Sequence, residues 1–244
     1  MKPFVLLASR SEDIAADDEY ASILRLAGLP STALHRVRME SAEFTPLALA
    51  DYSGVILGGS PFTASTPRAH KSDDQLRIEA ELDGLLADVL QAEVPFLGLC
   101  YGVGVVGRHA GGVVDGTYAE ETGGVEVTIT PDGADDPLLA GLPPTFHAYV
   151  GHKEACTVLP PGATLLATSR SCPVQMYRLG RHAYVTQFHP EMDLAALTTR
   201  CETYQHAGYF APDELDAVLT RVGAIDVSES HRVLRNFVER YQQD

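Results

Sequence analysis

With 244 residues, 45% of them hydrophobic, and no apolar run near the roughly 18–20 residues of a membrane span, the chain has the size of one globular α/β domain, or one domain with an appendage. Its 18 Lys and Arg against 33 Asp and Glu leave a formal charge of −15; that acidity argues against nucleic acid as a partner and favours solubility. Four scattered cysteines (Cys100, Cys156, Cys172, Cys201) with no Cys-x-x-Cys pair offer neither a zinc site nor a disulfide framework, so no metal, no cofactor and a reduced, cytoplasmic setting are expected.

Phe4–Ala8 reads as a first buried strand rather than a signal-peptide core, because Ser9-Arg10-Ser11-Glu12-Asp13 turns polar at once. A helix over about Ala16–Ala27 follows, with Gly28 as its stop, then strands at Ala33–Val37 and Gly54–Leu57, the latter ending in a Gly58-Gly59 turn. Asp73–Gln91 is the clearest helix, since Leu76, Ala80, Leu82, Leu85, Leu86, Val89 and Leu90 form one apolar face. Val94–Leu99 is a central strand and Tyr101 to about His109 a helix. This alternation predicts an α/β fold with a mostly parallel central sheet, covered by helices on both faces. Gly111-Gly112, Gly123-Gly124 and Pro143-Pro144 read as turns that break the rhythm. Val125–Thr130, Thr164–Ala167, Val174–Leu179 and Ala183–Gln187 read as short strands, several of them antiparallel. Beyond Glu191 the chain reads helical, with Pro212 near the start of one helix and Ser228 as a cap for another.

Two segments carry chemistry. In Val94-Pro95-Phe96-Leu97-Gly98-Leu99-Cys100-Tyr101-Gly102 an apolar strand stops at a cysteine with glycine two residues to either side. Small residues let the backbone cross close to itself there, which is the thiol form of a nucleophile elbow. A cysteine opening a helix is also expected to have a lowered pKa. In Gln187-Phe188-His189-Pro190-Glu191, His189 and Glu191 fall on one side of an extended chain, a base with an orienting carboxylate at the end of a strand. Nucleophile, base and orienter are the parts of covalent acyl transfer.

Gly98-Leu99-Cys100-Tyr101-Gly102, Phe188-His189-Pro190-Glu191 and Ile56-Leu57-Gly58-Gly59-Ser60-Pro61 resemble, in order and approximate spacing, the motifs of the class I (triad) glutamine amidotransferases over roughly residues 3–200. Gly151-His152-Lys153-Glu154 is a weaker match to a Ser-His-Gly-Asp-like stretch of guanylate-synthase-type members. The resemblance implies a flavodoxin-like fold, a Cys100/His189/Glu191 triad, and an oxyanion hole from the backbone N–H groups of Gly59 and Tyr101. Gly58, Gly104 and His152 are further candidates for substrate binding, although a solvated turn is the plainer reading of residues 152–154. The family usually has glutamine where this chain has Gly104, so one element of substrate recognition is missing.

The expected activity is hydrolysis of the glutamine side-chain amide through a γ-glutamyl thioester. The possible ammonia acceptor is a separate synthase subunit, and self-association is left open. A γ-glutamyl peptidase using the same triad, and a non-catalytic relative, are the alternatives. Residues 1–204 are expected to form the catalytic domain, with 205–244 a helical extension packed on it.

Overall fold

The computed structural model describes residues 2–41 and 45–243. Among these, eleven strands and seven α-helices follow in chain order: β1 (Phe4–Ala8), α1 (Asp13–Ala27), β2 (Leu34–Arg38), β3 (Gly54–Leu57), α2 (Asp73–Gln91), β4 (Phe96–Leu99), α3 (Tyr101–His109), β5 (Val113–Asp115), β6 (Glu120–Ile129), α4 (Pro131–Ala134), β7 (Thr145–His152), β8 (Ala155–Val158), β9 (Ala163–Ser169), β10 (Met176–Leu179), β11 (Ala183–Thr186), α5 (Leu194–Thr203), α6 (Leu215–Gly223) and α7 (His231–Tyr241).

Nine strands form one sheet in the order β2-β1-β3-β4-β11-β10-β9-β6-β7. The run from β2 to β11 is parallel; from β11 to β7 every pair is antiparallel. The separate β5–β8 pair is antiparallel too. The fold is thus the expected α/β architecture, with the antiparallel strands continuing the parallel sheet.

The central strands are apolar throughout because both faces are covered. Phe4, Leu6, Ile56, Leu97 and Leu99 face one way and pack with Ile23 of α1 and Val233, Leu234 and Phe237 of α7. Val5, Leu7, Val55, Leu57 and Phe96 face the other and pack with Ile78, Leu82, Leu86 and Val89 of α2 and Val103 and Val106 of α3. Each such side chain, fully buried, contributes about 1.5–3 kcal/mol. α2 starts where Ser72 Oγ accepts from Gln75 N at 3.2 Å. α1 ends at Gly28, whose φ of 73° is the left-handed cap that glycine adopts without strain.

The structure corrects several expectations. Gly123-Gly124 is not a turn: both lie inside β6, paired with Val150 and Tyr149 beside a register shift that begins at Glu120. A Cβ on Gly124 would meet Ile225 Cδ1 at 2.7 Å, so packing rather than turning requires that glycine. β5, β7 and β8 have no expected counterpart. Ser228 caps no helix with its side chain; its own N–H donates to Asp226 Oδ1 at 2.9 Å, and α7 starts at His231.

In doubly wound sheets, ligand sites form beyond the carboxyl ends of the strands, where the strand order reverses. Here β1 is followed by β2 on one side and β3 on the other. The chain leaving β1, β3, β4 and β11 therefore converges on one crevice.

Candidate active site

Cys100 leaves β4 on a sharp turn with φ 50° and ψ −80°, a positive-φ conformation that a residue with a side chain adopts only against steric cost. Glycine makes the crossing possible: a Cβ on Gly98 would lie 3.0 Å from Gly102 Cα. Cys100 N donates to Thr186 O at 2.7 Å, tying the elbow to β11. Cys100, half-buried as a residue, borders a cavity of about 50 Å³ that His189 also lines.

His189 Nδ1 lies 2.7 Å from Glu191 Oε1, and both residues are buried. With Nδ1 donating to the carboxylate, Nε2 is left as the basic nitrogen. Burial raises Glu191, but the adjacent His189 and Arg200 outweigh it and hold the carboxyl at about 2. Burial lowers His189 below its ordinary value, against the opposing pull of Glu191.

The thiol does not follow the expectation for a helix-opening cysteine. Burial pushes Cys100 up to about 12; Arg10 and Arg200 pull it down, Glu191 and Glu154 push it up, and desolvation prevails.

Of the two candidate oxyanion donors, Tyr101 N opens α3, where no intrahelical acceptor exists. Gly59 N has no backbone acceptor among the described residues. Gly58 N, by contrast, already donates to Leu7 O at 3.0 Å and is not available to a substrate. Its want of a side chain has another cause: a Cβ would meet Glu19 Oε2 at 2.5 Å.

The reading of 152–154 as a solvated turn holds for Lys153, exposed at a bend, but is overturned for its two neighbours. His152 ends β7, is 4% exposed, and is held by Glu154 O at 2.9 Å and Glu120 Oε2 at 2.7 Å. Glu154, 7% exposed, accepts from Ala64 N at 2.7 Å and Ser65 N at 2.6 Å. It pins the loop after the Gly58-Gly59 turn and takes the space beside Gly104. A Cβ on Gly104 would fall inside 3.0 Å of Glu154 Oε1 and at 3.0 Å from Ala64 Cβ. Cys156, Cys172 and Cys201 are buried, as expected for packing residues.

A buried charge network stands behind His189 and Glu191 and has no counterpart in the sequence motifs. Arg10, just past β1, donates through Nε to Glu19 Oε1 at 3.2 Å. Arg200 of α5 donates to the same oxygen at 3.1 Å and to Glu191 Oε1 at 3.2 Å. Two guanidiniums thus balance two carboxylates, all four 6% exposed or less. A cation just past the carboxyl end of the first strand was a visible signal for Arg10. Glu19 and Arg200 lie within helices, where charges normally face water, and nothing in the sequence marks them. Gln187 was also missed; its Nε2 lies 3.8 Å from Cys100 Sγ.

Comparison with known proteins agrees with this geometry. A glutamine-hydrolyzing GMP synthase subunit of Methanoregula boonei is 33% identical over 144 residues, 59% of this chain and 67% of that protein. The glutamine-hydrolyzing GMP synthase of Limosilactobacillus reuteri is 30% identical over 140 residues, but the match spans 57% of this chain and only 24% of that protein. A glutamine amidotransferase from Thermotoga maritima superposes with a TM-score of 0.77 at 22% identity, covering 100% of both chains, which speaks for the fold. The family model described as glutamine amidotransferase class-I matches residues 23–201, well over half of the sequence. The chain belongs to the class-I glutamine amidotransferase family and is an enzyme of that kind.

Proposed function

We propose that this enzyme hydrolyses the side-chain amide of glutamine by covalent catalysis at Cys100. The observation that carries the reading is the strained Cys100 elbow opening on the cavity lined by His189, whose other nitrogen is fixed at 2.7 Å by Glu191. As the Cys100 sulfur attacks the carboxamide carbon, its proton passes to His189 Nε2. The N–H groups of Gly59 and Tyr101 receive the developing oxyanion, where such donors are worth about 3–4 kcal/mol each. Collapse breaks the C–N bond, and His189 delivers the proton to departing ammonia. Water, deprotonated by the same imidazole, then cleaves the thioester to glutamate and regenerates the thiol.

The relatives named as glutamine-hydrolyzing subunits of GMP synthase support transfer of that ammonia to a separate synthase subunit. In this reading the C-terminal extension is part of the catalytic unit, since Tyr209 and Phe210 line the cavity at Cys100. Labelling with a glutamine-analogue diazoketone, followed by peptide mass spectrometry, tests the proposal. Stoichiometric adduct on Cys100 and none on Cys156, Cys172 or Cys201 is expected, with Cys100→Ala both unlabelled and inactive. A Cys100→Ala protein that still released ammonia at the wild-type rate would overturn it.

A γ-glutamyl peptidase reading is favoured by one specific observation, a second lobe of the cavity on the histidine side of Cys100.

A further inference from the structure

The space around Cys100 has two lobes. One, of about 20 Å³, runs between Tyr101, Lys153 and Glu154; the other, of about 50 Å³, runs past His189 and Arg10. Cys100, Ser60 and Gly151 border both, so the lobes meet at the nucleophile. The leaving nitrogen must take its proton from His189 and therefore departs toward the larger lobe. Ammonia, about the size of a water molecule, needs only about 10–15 Å³ of such space. The larger lobe therefore has room for more than the ammonia of glutamine.

Arg10 gives that lobe a chemical preference. It is 4% exposed, yet its side chain borders the cavity. Arg10 Nε donates to Glu19 Oε1, and the guanidinium also interacts with Tyr204, through its hydroxyl and with the ring centroid 5.4 Å away, which holds the side chain in place while its terminal nitrogens face the cavity. Its Nη2 and His189 Cε1 lie 2.7 and 3.2 Å from the point where a Cβ on Gly59 would stand. Arg10 is thus on the histidine side of the nucleophile, next to the oxyanion turn. A terminal guanidinium edge facing a cavity suits a carboxylate, which it can receive through two parallel N–H bonds. Met192, Leu197 and Phe210 supply apolar walls for a carbon chain between the two.

We propose that the larger lobe is a leaving-group site for γ-glutamyl amides whose amine portion carries a carboxylate, and that Arg10 binds that carboxylate. The inference rests on the hydrolase reading above and deepens it. The γ-glutamyl C–N bond breaks as the C–S bond to Cys100 forms, and the thiol proton leaves with the amine through His189. Water then cleaves the thioester to glutamate, its second proton restoring the thiol, so no other reactant is needed.

The test is steady-state hydrolysis of three compounds by the full chain: glutamine, γ-glutamylglycine and the neutral γ-glutamylglycinamide. The wild-type enzyme should favour the acid over its amide by about tenfold or more in kcat/KM, the usual worth of a charged hydrogen bond. In Arg10→Gln that ratio should fall toward one, while Arg10→Lys keeps part of it. A general loss of activity cancels within each ratio, and the wild-type comparison decides even if both variants fold poorly. Glutamine turnover with equal rates on the acid and its amide, or with neither conjugate accepted, overturns this inference alone. No cleavage of any of the three overturns the hydrolase reading and this one with it.

Discussion

Glu154 and Gly104 occupy one site between them: the carboxylate Oε1 stands where the first carbon of any side chain at 104 would lie, inside 3.0 Å. The glycine that departs from the family pattern is therefore matched by an acid reaching in from the β7–β8 loop. Glu154 is fixed there by the N–H groups of Ala64 and Ser65, and Arg108 donates to Ala64 O beside it.

Restoring the family's glutamine is accordingly expected to harm the protein. From the sequence alone, Gly104→Gln should suit α3 through its higher helix propensity, worth roughly 0.5 kcal/mol or more. Overpacking against a buried carboxylate typically costs about 1–3 kcal/mol and outweighs that gain. Chemical denaturation should show lower stability for Gly104→Ala and lower still for Gly104→Gln, with no improvement in KM for glutamine. The pairing is checked by a double-mutant cycle with Glu154→Ala, whose coupling energy should exceed about 0.5 kcal/mol. Additive effects would mean that the two sites relax independently.

On the proposed mechanism, Cys100 and His189 should titrate as a neutral pair. Since burial holds Cys100 up to about 12, alkylation of the free enzyme by iodoacetamide should climb about tenfold per pH unit from pH 7 to beyond pH 10. A plateau near pH 7 would reveal a thiolate already formed. His189 is lowered by burial, so its basic form persists below the ordinary value of 6.5, and the acid limb of kcat/KM should lie under pH 6.5. Glu191, at about 2 in the fold against an ordinary 4.5, contributes stability in full above pH 4.5 and loses it as pH falls toward 2. Acid denaturation of Glu191→Gln should lack that component.

Positioning and proton transfer should separate in the kinetics. Glu191→Gln leaves the base in place but misorients it, and is expected to lower kcat by on the order of 10⁴-fold or less; His189→Ala should cost more. Arg200→Met acts differently, because Glu19 and Glu191 share Arg200 and would lose their common cation. Stranding buried carboxylates typically costs about 3–5 kcal/mol, so the melting temperature should fall along with kcat. An Arg200→Met protein of unchanged melting temperature would show that the network reorganises without it.

Removing everything after Gln205 should unmake the domain. Val233, Leu234 and Phe237 of α7 are fully buried against β1 and its neighbours, and Tyr209 and Phe210 wall the catalytic cavity. Exposure of the α1 face should leave the truncated chain aggregated, binding an apolar dye and inactive. Soluble, monodisperse protein with wild-type melting behaviour would contradict this.

The parallel strands β1, β3 and β4, the long helix α2 and the elbow at Cys100 were legible in the sequence because each depends on local pattern: an apolar run, a 3.6-residue period, a glycine two residues either side of a cysteine. His189 and Glu191 were legible for the same reason, their geometry being fixed within five residues. The antiparallel half was read less well. β7 carries alternating small, polar and aromatic residues, and β6 carries two glycines, of which Gly124 answers to a side chain far along the chain, Ile225. The charge network was decided by tertiary structure alone. Arg10, Glu19, Arg200 and Glu191 come from two loops and two helices, and each charge is tolerated in the interior only because the other three are there. Glu154 beside Gly104 is the same kind of fact, since a missing side chain in one element and a buried carboxylate in another become a single feature only when the fold brings them into contact.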